Sequence, residues 1–349
     1  MAYTTINKSS SFMNPKLYTG NGSTNAITGV GFQPSLVWLK ERSDSGAPIL
    51  FDAVRGATKF VRSSDSAAEV TAADTLTAFN SDGFTLGADA GDYSANQNSK
   101  TYASWNWKAN GQGSSNTDGS INSTVSVNTT SGFSIVKYTG NATVSTIGHG
   151  LGVAPKMIIT KNLSRSDAWP VDCRQGNSGA GGIMYLNETG TLGAYGDSSP
   201  YPTTAPTNLV YSVGTAGNTN YSGSNLIAYC FAEITGHSKF GQYTGNGNAN
   251  GTFVYTGFKP AFVMVKKSDT ATNNWVMIDN KRNPFNVAGN YLLANDSGAE
   301  GVGLDFDLLS NGFKLKSNSG GTNTNGTKYI YMAFGQTLVG TNNIPNNAR

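Results

Sequence analysis

The feature that most constrains this chain is an internal repeat. The tripeptide Tyr-Thr-Gly occurs at residues 18–20, 138–140 and 243–245. A Pro-x5-Lys segment follows each time: PSLVWLK from Pro34 to Lys40, PKMIITK from Pro155 to Lys161 and PAFVMVK from Pro260 to Lys266. Each unit then closes on an aromatic-rich strand, TYASWNW ending at Trp107, NLIAYCF ending at Phe231 and KYIYMAF ending at Phe334. The distance from proline to final aromatic is 73, 76 and 74 residues. Three marks held in register over that length define a repeated unit. The outer copies share more: SDSAAE (64–69) with NDSGAE (295–300), SDGFTL (81–86) with SNGFKL (310–315), and Asp52-x-x-Arg55 with Asp279-x-x-Arg282. The middle copy departs, with the tighter Asp172-Cys173-Arg174.

Each copy reads as strands. Residues 36–40 are apolar on both faces, as in a strand buried within a packed sheet. In the closing strands, Ala103, Trp105 and Trp107, then Ile227, Tyr229 and Phe231, then Ile330, Met332 and Phe334 form one face, which we assign to the core. Asp82-Gly83 and Asn311-Gly312 read as tight hairpin turns. The best helical stretch is Ser66 to Ala78. Length alone suggests about two domains, but the repeat makes the count three. The expected fold is all-β: three tandem β-sandwich repeats, jelly-roll- or lectin-like, of about 100 residues. The expected layout is an N-terminal arm at 1–16, repeats at 17–108, 121–235 and 238–337, and a C-terminal tail at 338–349. The Gly/Ser-rich segment at 109–120 reads as a flexible linker.

Composition narrows the function classes. There are 43 glycines and 11 prolines in 349 residues, too few for a low-complexity chain. The net charge of +3, with no basic stripe, argues against nucleic acid as a partner. No apolar run is long enough for membrane insertion, and no secretory signal is recognisable. Cys173 and Cys230 fit no metal or redox spacing, and Cys230 reads as a buried free thiol. His149 and His237 lack a nucleophile pattern and read as turn or solvated histidines. Asp305-Phe306-Asp307 resembles an acid pair but reads as a solvated face. The Thr-Gly-Asn-Gly segments lack the helix that a phosphate loop needs and read as turns. The repeated Lys40, Lys161 and Lys266 and the Asp–Arg pairs read as structural. No catalytic residue, metal site or cofactor is expected. Candidate surface-binding aromatics on loop tips are Tyr93, Trp169, Tyr195, Tyr201, Tyr221 and Trp275, although loop aromatics are also ordinary packing anchors.

The segments LYTGNGSTNAITGVGFQPSLVWLK, FDAVRGATK, SDGFTLGADA, IGHGLGVAPKMIITKN and YCFAEITGHSKFGQYTGNG resemble a family of marine tailed-phage virion proteins of the tail-fibre, SPRY- or lectin-like type. The resemblance spans about residues 17–337 and implies a virion component, assembled in the host cytoplasm and released by lysis. It carries over no site residues. The function expected is a non-enzymatic structural protein of the virion, in tail-fibre or receptor-binding adhesion to the host surface. The alternatives are a capsid decoration protein and a polysaccharide-degrading tailspike. Expected partners are other virion proteins and a host surface glycan or protein, with a homotrimer favoured.

Overall fold

The computed structural model describes residues 6–174 and 182–336. Nearly all of the regular secondary structure is strand, and among the described residues the only α-helix is the short Gly217–Asn220. The first set of strands is β1 (Met13–Thr19), β2 (Asn25–Thr28), β3 (Leu36–Glu41), β4 (Ile49–Asp52), β5 (Lys59–Arg62), β6 (Val70–Thr71), β7 (Leu76–Asn80), β8 (Gly83–Leu86) and β9 (Thr101–Trp107). The second is β10 (Ser114–Asn116), β11 (Ser123–Asn128), β12 (Phe133–Thr139), β13 (Ser145–Gly148), β14 (Met157–Asn162), β15 (Pro170–Asp172), β16 (Ile183–Tyr185), β17 (Val210–Val213) and β18 (Asn225–Phe231). The third is β19 (Ser238–Thr244), β20 (Phe253–Tyr255), β21 (Pro260–Lys267), β22 (Val276–Asp279), β23 (Leu292–Leu293), β24 (Phe306–Leu309), β25 (Gly312–Leu315) and β26 (Lys328–Gly335).

Each set makes one large and one small antiparallel sheet. The large sheets run β1-β9-β3-β4-β5-β6, β10-β11-β12-β18-β14-β15-β16 and β19-β26-β21-β22-β23. The small ones are β2-β8-β7, β13-β17 and β20-β25-β24. In every large sheet the closing strand (β9, β18 or β26) lies between the Tyr-Thr-Gly strand and the Pro-x5-Lys strand. Each pair of sheets closes on its own apolar core, for example Val37, Phe51, Phe60, Phe84 and Tyr102 in the first sandwich.

The Tyr-Thr-Gly motif has a mechanical reason. The hydroxyls of Tyr18, Tyr138 and Tyr243 donate to the carbonyls of Ala95, Thr219 and Thr322 at 2.7, 2.7 and 2.6 Å. A Cβ on Gly20, Gly140 or Gly245 would strike the carbonyl oxygen of Gln97, Tyr221 or Thr324. Glycine is therefore the residue that lets the two loops touch. The backbone N–H groups of Asn21, Asn141 and Asn246 then donate to the buried side-chain oxygens of Asn96, Asn220 and Asn323.

The core face of the closing strands lies elsewhere than in a sandwich interior. All nine residues of that face belong to a fourth cluster shared by the three large sheets. The opposite face, with Tyr102, then Leu226, Ala228 and Cys230, then Tyr329, Tyr331 and Ala333, fills the sandwich interiors. Trp107, Phe231 and Phe334 meet edge to face, with ring centroids 5.7, 5.9 and 6.1 Å apart. Such a pairing adds to the area term of burial.

Buried polar groups tie the sandwiches together in one rotational sense. Lys40 Nζ donates to Ser297 O and Gly298 O of the third sandwich, at 2.8 and 2.7 Å. Lys161 Nζ reaches Ser66 O of the first at 3.1 Å, and Lys266 Nζ reaches Gly190 O of the second at 2.9 Å. The segments 64–69 and 295–300, matched in sequence, supply the acceptors for Lys161 and Lys40. Burial pulls each lysine pKa down to about 8. The indole N–H of Trp105 donates to Asp279 at 3.1 Å, and the Tyr229 hydroxyl donates to Asp52 at 2.9 Å. Burial alone would raise the Asp279 carboxyl, but Arg282 and the backbone N–H groups of Lys281 and Arg282 outweigh it and hold its pKa low. The position in the third closing strand is Met332, which has no such donor. Asp172 takes its hydrogen bond from the Tyr195 hydroxyl instead, at 2.5 Å.

Several expectations need correction. Residues 109–120 are not a loose linker: Ser114–Asn116 form β10, and Ala109 N and Asn110 N donate to Ser35 Oγ and Ser126 Oγ at 3.0 and 2.8 Å. Side-chain hydroxyls capture the backbone that the composition suggested was free. Residues 13–16 of the expected arm lie in β1, because Met13 packs into the shared cluster. Ser66 to Ala78 contains β6 and the start of β7 rather than a helix. His149 and His237 are both buried. The expected tail at 338–349 and residues 1–5 lie outside the described residues.

His237 packs between Phe12 and Phe334, with ring centroids 6.0 and 5.7 Å away, and burial lowers its pKa to about 3. The unfolded chain takes up this proton near pH 6.5, so the contribution of His237 is complete above that pH and lost progressively toward pH 3. Between pH 7 and 5 the wild type should lose about 2 kcal/mol more stability than His237→Phe, measured by urea unfolding at both pH values. Phe231→Ala should cost about 3–5 kcal/mol in the same assay at pH 7, through the cavity it opens at the junction of three sheets.

Candidate functional site

The site follows from how the second sandwich holds two loops. Lys161, at the end of β14, turns its ammonium back onto the loop that follows, donating to Arg165 O at 3.1 Å and Asp167 O at 3.0 Å. Asn162 donates to Gly217 O at 2.9 Å and accepts from Ser164 N at 3.0 Å, joining that loop to the segment before β18. The buried Asn220 donates to Gly214 O and Thr143 O at 2.9 and 2.6 Å, fixing the opposite wall. Between them lies a cleft of about 790 Å³, with Arg165, Asp167, Asn218 and Tyr221 among its lining residues.

Tyr221 is 45 % exposed, and the Arg165 guanidinium stacks on its ring at 3.9 Å from the centroid. Asp167 steers Arg165 through an Nε–Oδ2 contact of 3.3 Å. The Asn218 side-chain oxygen is buried without a hydrogen-bond partner. The cleft thus offers an aromatic plane with a cation held against it, beside a lining residue whose buried acceptor lacks a donor, which suits a polar ligand with an apolar face.

Of the six loop aromatics singled out in the sequence, the cleft holds Tyr221. Trp169 and Trp275 are buried in the shared cluster, a correction to their expected place on loop tips. Their indole N–H groups donate to Arg62 O at 3.0 Å and Tyr185 O at 3.0 Å, backbone of the preceding sandwich in each case. Tyr201 is also buried, its hydroxyl 2.8 Å from Thr160 Oγ1. Tyr195 is half-buried beneath Arg174, and burial together with Asp172 raises its pKa. Tyr93 is half-buried against Phe60, with centroids 5.1 Å apart. Sequence reasoning missed Arg165. The available signal was a charge change between copies, since Asp44 occupies the matching place after Lys40.

The other candidate groups make contacts within the fold. His149 Nδ1 accepts from Leu151 N at 3.2 Å. Asp307 lies 3.7 Å from Lys316, and its neighbour Phe306 is buried. The Thr-Gly-Asn-Gly segments run into β2 and toward β20, with no helix after them. Both cysteines are buried and free. Among the described residues no helix is long and apolar enough to cross a membrane.

Residues 8–337 match a family described as Domain of unknown function (DUF7483). The chain belongs to this family. No curated protein and no solved structure matches it. The family match runs through all three sandwiches, so the shared cluster and the Arg165–Tyr221 cleft both lie within it.

Proposed function

We propose that this chain is a non-enzymatic adhesion protein that holds a surface sugar in the Arg165–Tyr221 cleft. The observation that carries the reading is the exposed Tyr221 ring held under the Arg165 guanidinium, beside an Asn218 oxygen that lacks a donor. A sugar presents C–H faces to aromatic rings and hydroxyl donors to acceptors, so it satisfies both halves of the cleft. Among the described residues Asp167 is the only carboxylate in the lining, and it is engaged with Arg165, which favours binding over hydrolysis.

The sequence resemblance to marine tailed-phage virion proteins supports reading this adhesion as part of a virion, in a tail fibre or receptor-binding part. A single weak cleft gains from being presented several times, and a homotrimer would supply three copies on one fibre. Capsid decoration is the alternative placement. Copy number per virion separates the two, with hundreds favouring the capsid.

The test is a glycan array and host-cell binding with the purified full chain. Wild type should bind a discrete set of glycans. Tyr221→Ala should weaken that binding by about tenfold or more while leaving thermal stability near wild type. Loss of binding in Arg165→Ala as well would assign both faces of the cleft. No glycan or host cell bound, or binding indifferent to Tyr221→Ala, would overturn the reading.

A further inference from the structure

The first sandwich has a cleft at the matching place, with different chemistry. The shared lysine and asparagine anchors set the correspondence. From Lys40 and Lys161, Glu41 stands where the second sandwich has Asn162, and Asp44 where it has Arg165. From Asn96 and Asn220, Gln97 stands in the place of Tyr221. The cleft is about 280 Å³ and is lined by Glu41, Asp44, Asp92, Gln97 and Lys100 among others. The anchors of one cleft recur, but its paired Arg165 and Asp167 give way to a lining in which Glu41, Asp44 and Asp92 outnumber the one lysine.

Glu41 is the decisive residue. It is only 3 % exposed, it lines the cleft, and its Oε1 is buried without a hydrogen-bond partner. The corresponding Asn162 is fully engaged with Gly217 O and Ser164 N. The nearby cations are committed elsewhere. Lys100 pairs with Asp44 at 2.8 Å, and Lys40 points at the carbonyls of Gly46, Ser297 and Gly298. The Gln97 amide donates to Asp89 O at 2.7 Å. A buried carboxyl oxygen without a donor is costly, and nothing in the loop answers it. Burial, aided by Asp44 and Asp92 and opposed by Lys100 and Lys40, raises the Glu41 pKa.

We propose that this cleft takes the primary ammonium group of a small polar ligand, held by Glu41 with Asp92 in the same lining. An ammonium brings three donors and one positive charge to a site with acceptors and negative charge to spare. Among the described residues no three acidic, histidine or cysteine side chains converge as a metal site, which turns the choice from a bare metal ion to an organic cation. A volume of about 280 Å³ accommodates an amino sugar or the end of a lysine side chain, and both present the same group.

The proposal stands apart from the sugar reading of the second sandwich, and its test keeps them apart. The full chain is titrated with glucosamine, with Nα-acetyl-lysine amide, with neutral N-acetylglucosamine and with calcium, following Glu41 and its neighbours by NMR. Glucosamine or the lysine derivative should bind, and whichever binds more tightly names the source. The N-acetylated sugar should bind at least about tenfold more weakly than glucosamine. Glu41→Gln, which preserves shape, should cost about tenfold or more in ammonium affinity, and Asp92→Asn should weaken it. Tyr221→Ala should leave ammonium binding unchanged. Failure of both amines to bind at about 10 mM, equal affinity in Glu41→Gln, or Glu41-dependent calcium binding without amine binding would overturn the proposal.

Discussion

Three rings, Trp107, Phe231 and Phe334, meet where the three large sheets converge, and the rest of the molecule is arranged around that contact. It obliges each large sheet to be buried on both faces. One face closes a sandwich against its small sheet, while the other joins the shared cluster. The closing and Pro-x5-Lys strands therefore lose the polar face that an ordinary antiparallel strand turns to water. This is why β3, β14 and β21 are buried along their whole length. It also explains how a chain with only 13% charged residues suits a protein with ample surface, because much of what would be outer surface in a lone sandwich is interior here.

A shared apolar cluster does not by itself fix which sandwich follows which, since hydrophobic contact is non-directional. The directional part comes from buried polar groups at its margin. Each of Lys40, Lys161 and Lys266 shares its ammonium between carbonyls of its own sandwich and those of one particular neighbour. An ammonium withdrawn from water needs such acceptors, so misplacing the neighbour would strand it. The aspartates add a second ring of contacts in the same sense, with Trp105 donating to Asp279 and Tyr229 to Asp52. That ring breaks at Met332. A thioether donates nothing, and the odd Asp-Cys-Arg segment of the second sandwich is where Asp172 finds Tyr195 instead. Two departures in sequence, far apart along the chain, are thus one departure in space.

What was legible in the sequence was whatever is satisfied close along the chain or repeated. The all-β sandwich character showed in alternation and turn residues. The apolar face Ala103–Trp105–Trp107 was recognisable as core, but alternation has no means of saying which of two cores a face enters. Trp169 and Trp275 looked like loop-tip aromatics because their partners, Arg62 O and Tyr185 O, lie in other sandwiches. The segment 109–120 looked free because composition does not reveal that Ser35 and Ser126 will hold it. Arg165 was hidden for a similar reason, as the residue it stacks on is brought to it only when Lys161 and Asn220 have fixed the two walls.

The clefts show where such a scaffold is free to vary. The lysine that ends each Pro-x5-Lys strand must stay, because its ammonium stitches two sandwiches together. The buried asparagine before each closing strand must also stay, because it holds the glycine loop. The side chains four positions beyond the lysine and one beyond the asparagine carry neither duty. At those positions Arg165 and Tyr221 in the second sandwich face Asp44 and Gln97 in the first. Fixed anchors on both sides of a gap position whatever side chains fill it, and such preorganisation lowers the entropy cost of binding. One fold can then present a cation–aromatic cleft and an acidic cleft at matching places, and differ in what it holds without altering what holds it together.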